Sequence, residues 1–225
     1  LKKVVIKLSG SVFDNVIENL NSLSKLIHKL YNEGYKIILV TGGGKEARKF
    51  IEIGRALGMD EAGLDEVGIE VSRLNARLVI ASLGDLGYPY VPRSLDEVIK
   101  AFVTDRVVVL GGLYPGQSTN AVAAIVAEKL HADVYLNTTD VEGVYDKDPR
   151  THPDAKLIKR ITIKELENLL RVYSVKAGTY ELLDPIALRI IERSKIRCLV
   201  MKYDTELIEK AIKGEIVGTL VEVNA

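Results

Sequence analysis

Short apolar runs that end in glycine alternate with stretches whose apolar residues recur at helical spacing. Lys3-Val4-Val5-Ile6-Lys7-Leu8 reads as a strand, closed by Ser9-Gly10-Ser11. Leu20, Leu23, Ile27, Leu30 and Tyr31 share one helical face, with Gly34 just past the end. Lys36 to Val40 is apolar nearly throughout, as in a parallel strand covered on both faces. It runs into Thr41-Gly42-Gly43-Gly44, and helices are predicted over 45–57 and 60–83. Arg106 to Leu110 is a further buried strand ending in Gly111-Gly112, followed by a helix over 119–130 and a strand over 133–138. Thr162 caps a short helix. Asp184 before Pro185 marks a helix start, running to about Ser194. A strand over 197–201, a helix capped by Asp204 and a strand over 217–221 complete the chain. The alternation has no linker, repeat or low-complexity tract. It predicts one α/β domain over 1–225, a three-layer αβα sandwich on a mainly parallel central sheet.

Composition narrows the classes. With 225 residues and 47% hydrophobic, the chain can bury a sizeable core. Thirty-one basic residues balance 31 acidic ones, which argues against a general nucleic-acid binder. One cysteine, Cys198, excludes intrachain disulfides and a Cys-built zinc site; its apolar neighbours make it a packing residue. Three scattered histidines show no ligand spacing. No apolar run reaches the ~18 residues of a membrane span, so no membrane partner and a cytoplasmic protein are expected.

The candidate chemistry lies in four turns after strands: 9–11, 41–45, 111–112 and 139–143. In parallel sheets ligands bind beyond the carboxyl ends of strands. Glycine lets the backbone approach a ligand, and a following helix aims free N–H groups at it, which suits phosphate. There is no G-x-x-x-x-G-K-[ST] motif, which disfavours a P-loop enzyme. Gly42-Gly43-Gly44-Lys45-Glu46-Ala47 satisfies the dinucleotide fingerprint, giving a Rossmann oxidoreductase as alternative. Its context fails: it is not the first βα turn, and Asp65 falls inside a helical stretch rather than at a strand end.

Five motifs fall in one order: Lys7-Leu8-Ser9-Gly10-Ser11; the triple glycine 42–44 with Arg48; Asp65 before Ser72-Arg73-Leu74-Asn75-Ala76; Pro115-Gly116-Gln117-Ser118-Thr119; and Thr139-Asp140-Val141-Glu142-Gly143-Val144-Tyr145-Asp146-Lys147-Asp148-Pro149. Together they resemble the amino-acid kinase superfamily, and within it the archaeal type of uridylate kinase. The resemblance implies an acceptor (UMP) side over about 1–130 and an ATP side over about 131–225. It implies ATP as co-substrate, Mg²⁺ with the ATP, and a homohexamer built from dimers.

By that resemblance Lys7, Leu8, Ser9, Gly10, Ser11, Gly44, Arg48, Thr139, Tyr145 and Asp148 meet ATP. Lys7 neutralises the transferred phosphoryl group, as a compact ammonium can. Arg48 lies between donor and acceptor phosphates; otherwise it is a surface arginine or the i,i+4 partner of Glu52. Gly43, Asp65, Leu113, Tyr114, Pro115, Gly116, Gln117, Ser118 and Thr119 meet UMP, with Asp65 on the ribose hydroxyls. Asp184 is either only a helix cap or a carboxylate near the phosphates. Asn120 stands where relatives often carry Asp, and Glu142 replaces the usual Asp before Gly143. The implied reaction, ATP + UMP → ADP + UDP, needs no general base, because the acceptor oxygen is already anionic above a pKa of about 6. Another small phosphate or carboxylate kinase of the superfamily, or a non-catalytic nucleotide-binding module, are the alternatives.

Overall fold

The computed structural model describes residues 2–174 and 182–223. In chain order the elements are β1 (Lys3–Leu8), α1 (Val16–Asn32), β2 (Lys36–Thr41), α2 (Gly44–Ala56), α3 (Glu61–Leu83), α4 (Leu95–Phe102), β3 (Val108–Leu110), α5 (Thr119–Lys129), β4 (Val134–Thr139), β5 (Arg160–Thr162), α6 (Ile163–Ser174), α7 (Pro185–Ser194), β6 (Arg197–Lys202), α8 (Thr205–Ile212) and β7 (Thr219–Glu222). Most helices start on a side-chain cap. Asp60 accepts from the N–H of Gly63, Ser94 from Glu97, Ser118 from Ala121 and Asp204 from Leu207. Thr162 and Glu165 cap each other's backbone reciprocally at the start of α6.

The seven strands form one sheet in the order β3-β2-β1-β4-β6-β7-β5. It is parallel except where β7 runs antiparallel to β6, with β5 parallel to β7. Alternate strand residues enter two separate cores. Val5, Ile38, Val40, Val108, Leu110, Tyr135 and Val200 pack under α4, α5, α6 and α7. Val4, Ile6, Leu8, Leu39, Val109, Leu136 and Met201 pack under α1, α3 and α8. Both faces are therefore covered, which is the expected three-layer sandwich. α2 packs against α3.

Some boundaries move. The third strand begins at Val108 rather than Arg106, and the last spans Thr219–Glu222 rather than 217–221. Two elements were not expected: α4, only eight residues long, and the three-residue β5.

The chain lays down β1, β2 and β3 outward in one direction, then returns to place β4 on the other side of β1. The strand order thus reverses between β1 and β4. At such a point the connections leave in opposite directions and open a crevice beyond the strand ends.

Candidate active site

That crevice collects the glycine turns. Gly10 and Gly44, from the turns after β1 and β2, lie against each other: a Cβ on Gly10 would stand 2.4 Å from the Cα of Gly44. Gly44 also has φ +66°. Only glycine combines that close approach with left-handed backbone. The N-termini of α2 and α5 follow the turns after β2 and β3, and each presents N–H groups that lack a partner within the helix and a positive dipole end.

Lys7 is half-buried near the end of β1 and points its ammonium at the carbonyl of Thr138, 3.4 Å away. Burial lowers its pKa from 10.5 to about 8, and the Asp140 carboxylate partly restores it. The neighbouring turns are cross-tied: Thr138 Oγ1 donates to the Lys7 carbonyl and accepts from the Ser9 N–H. Ser11 Oγ donates to Ser9 Oγ. Arg48 is exposed one turn into α2. Among the described residues it forms no ion pair with Glu52.

The loop 113–118 folds over the ends of β3 and α3. Leu113 is buried, while Tyr114, Pro115, Gly116 and Ser118 are exposed. Asp65 of α3 accepts the Gly116 N–H at 2.7 Å, so one of its oxygens is occupied in holding this loop. Gln117 buries its Oε1 without a hydrogen-bond partner among the described residues. Gly43 and Thr119 are half-buried.

Asp184 fulfils the helix-cap reading: its Oδ1 accepts the N–H groups of Ile186 and Ala187 at 2.9 and 3.0 Å. Its other oxygen accepts a short hydrogen bond from Ser118 Oγ. Ser118 itself caps α5, so the two caps join the N-termini of α5 and α7. Beyond β4, Thr139 Oγ1 donates to Asp140 and Tyr145 Oη donates to Glu142. Burial and that carboxylate raise the Tyr145 pKa. Asp148 Oδ1 accepts the Arg150 N–H across Pro149. The longer Glu142 therefore serves as the partner of Tyr145.

Two sets of supporting residues had no assigned role. In α3, Ser72 Oγ accepts the Gly112 N–H at 2.7 Å, and Asn75 donates to the Gly42 carbonyl at 2.8 Å. Thr41 Oγ1 donates to the Ser72 carbonyl, and Arg73 donates to the carbonyls of Gly112 and Leu113. This one stretch of helix fastens the turns after β2 and β3. The available signal was polar residues within the stripe Ile69, Ser72, Ala76, Val79, all of which are buried. The second set is a pair of amides. Asn137 and Asn120 both donate to the Leu182 carbonyl, at 2.6 and 3.3 Å, and bury their Oδ1 atoms without a partner among the described residues. Leu182 lies two residues before Asp184, so the amides fix the approach to α7. Asn137 is also the register partner of Lys7.

The sequence profile of the amino acid kinase family matches residues 2–202. A uridylate kinase of Sulfurisphaera tokodaii is 49% identical over 98% of this chain and 99% of its own length. One of Metallosphaera sedula is 47% identical over 98% and 99%. The crystal structure of a uridylate kinase from Archaeoglobus fulgidus superposes with a TM-score of 0.88 at 39% identity, covering 98% of this chain and all of that one. Profile, sequence and superposition agree across nearly the whole length, crevice included: the chain belongs to the amino acid kinase family, with archaeal uridylate kinases as its relatives there.

Proposed function

We propose that the chain transfers the γ-phosphoryl group of ATP to UMP, giving ADP and UDP. The contact between Gly10 and Gly44 carries this reading. Two phosphate-suited turns that touch can hold a donor and an acceptor phosphate side by side. Lys7, close behind the first turn, is assigned the transferred phosphoryl group, and Arg48 the space between the two phosphates. Leu8 to Ser11, Gly44, Thr139, Tyr145 and Asp148 are assigned to ATP. Gly43, Asp65 and the 113–119 loop are assigned to UMP, with the free oxygen of Asp65 available to a ribose hydroxyl. Asp184 is assigned a positioning role through Ser118, since its oxygens are engaged by that hydroxyl and by α7.

The acceptor oxygen is a phosphate oxygen, so the residues need only align it in line and neutralise charge. Among the described residues no three His, Cys, Asp or Glu side chains gather as a metal site. Mg²⁺ is assigned to the substrate, as the counter-ion that ATP brings with it. Both substrates are charged nucleotides, and the proposed compartment is the cytoplasm that makes them. The proposed assembly is a homohexamer built from dimers. It is supported by Phe50, Ile53 and Leu57, an exposed apolar stripe on and just past α2, and light scattering on the purified chain tests it.

A phosphate-transfer assay across the nucleoside monophosphates tests the function. UMP is expected to exceed CMP, AMP and GMP, since a polar pocket left unpaired by the wrong base can discriminate by ~10⁴. Equal kcat/KM for UMP and CMP would refute the acceptor assignment. Absence of ADP release with every acceptor would refute the enzyme.

A further inference from the structure

Along α3, and linked to the 111–112 turn through Arg73, lies a cavity of about 150 Å³ lined by Glu70, Arg73, Leu74, Arg77, Val91 and Arg93. Three guanidinium groups thus face one carboxylate. Glu70 divides its two oxygens, one 2.6 Å from Arg73 and the other 3.7 Å from Arg93. Arg77 makes no ion pair or hydrogen bond among the described residues. Neither the glycine turns nor any residue assigned to ATP or UMP lines this cavity.

Glu70 offsets one of the three positive charges, and the surplus around this small concavity favours a further anion. Planar guanidinium forks arriving from two turns of α3 and from the 91–93 segment match the oxygens of a phosphate group. The cavity is the size of a phosphoryl group or two rather than of a whole nucleotide, and the neutral overall charge argues against a polymer. We propose that this cavity binds a compact phosphate-class anion, and that its occupancy weakens acceptor binding through Arg73.

The coupling follows from how Arg73 spends its donors. Nη1 meets Glu70, Nε holds the Gly112 carbonyl, and Nη2 holds the Leu113 carbonyl. A bidentate anion takes the second N–H of Nη1 and of Nη2 and draws the guanidinium toward the cavity. The bonds to the Gly112 and Leu113 carbonyls, both already 3.2 Å, then lengthen, and the loop that begins there loosens. This half of the proposal rests on that loop binding UMP; the binding half does not. By linkage, UMP and the anion lower each other's affinity by the same factor.

The probe is inorganic pyrophosphate, titrated calorimetrically into enzyme whose nucleotide sites are filled with UMP and a non-transferable ATP analogue. One further site per chain is expected. It should be lost in the double variant R77A/R93A, which removes two exposed side chains and should keep its melting temperature and its basal kcat. Glu70→Gln, which removes the competing carboxylate, should tighten binding several-fold. In wild-type turnover, pyrophosphate should raise KM for UMP at least threefold at saturating ATP, and R77A/R93A should abolish that rise. No binding to the filled enzyme, or equal binding by R77A/R93A, overturns the site. Binding with an unchanged KM overturns the coupling. A chain that binds pyrophosphate in this way but fails to phosphorylate UMP would overturn the kinase reading and leave the site standing.

Discussion

Removing the proton from Lys7 is the perturbation most directly tied to this structure. In the free protein its pKa is lowered to about 8, against 10.5 for an unburied lysine. That difference corresponds to roughly 3 kcal/mol against the charged form. ATP brings several negative charges to the same crevice, and an opposite charge within about 4–6 Å restores the charged form. Binding ATP should therefore take up a proton. At pH 8 about half of the free enzyme lacks the Lys7 proton, so uptake should approach about 0.5 proton per ATP; at pH 7 it should fall to about 0.1. Calorimetric titration of ATP in two buffers of different ionisation enthalpy measures this directly. The Lys7→Met variant corrects for protons on ATP itself. The sign for stability follows from the same numbers. Between about pH 8 and 10.5 the unfolded chain holds a Lys7 proton that the folded one has lost, so this residue makes stability rise with pH across that window. Uptake equal in wild type and Lys7→Met at pH 8 would refute both the placement of Lys7 beside the phosphates and the reading of its burial.

Lys7→Ala should lower kcat by about 10²–10³, as for loss of one preorganised donor to developing charge; near-normal steady-state rates would remove the assignment. Gly10→Ala forces a methyl into the Gly44 backbone, so it should lower the melting temperature and abolish turnover, the overpacking alone costing about 1–3 kcal/mol. Asp65→Ala releases the Gly116 N–H and should raise KM for UMP at least tenfold while leaving KM for ATP within about twofold, about 1.4 kcal/mol of acceptor binding. Asn120→Ala should cost no more than tenfold in kcat, because Asn137 still holds the Leu182 carbonyl; Asn137→Ala, which breaks the shorter bond at a fully buried site, should destabilise by about 1–3 kcal/mol in denaturant unfolding.

The parallel part of the sheet was readable because β1, β2, β3 and β6 each carry an unbroken apolar run, a pattern that burial on both faces imposes. α4 escaped because eight residues complete barely two turns, too few for periodicity to stand out, although Ser94 with Glu97 marks its start. β5 escaped because its three residues take their place from β7, about 60 positions away. The candidate site divides in the same way. Glycines and the Asp184-Pro185 cap announce themselves locally. Asn137 does not: an amide inside a strand carries no label until its partner, Leu182, is known to lie 45 residues on. Ser72, Arg73 and Asn75 were visible as a motif, but their work is done on carbonyl and amide groups of other turns, and backbone partners leave no trace in side-chain sequence.

The position of β1 has a consequence for synthesis. Its inner edge pairs with β2 about 33 residues later, but its other edge waits for β4, with Val4 opposite Val134. At a translation rate of about 5–20 residues per second, those 130 residues take roughly 6–26 s. Throughout that interval the first strand made presents an open, apolar backbone edge, the kind that recruits strands from other chains. The reacting crevice exists only once β4 arrives, so the nascent chain cannot use nucleotide binding to protect that edge. Its half-made sheet must rely on the ribosome and on chaperones, and crowding of nascent chains should lower the yield of this protein more than that of one whose central strands are adjacent in sequence.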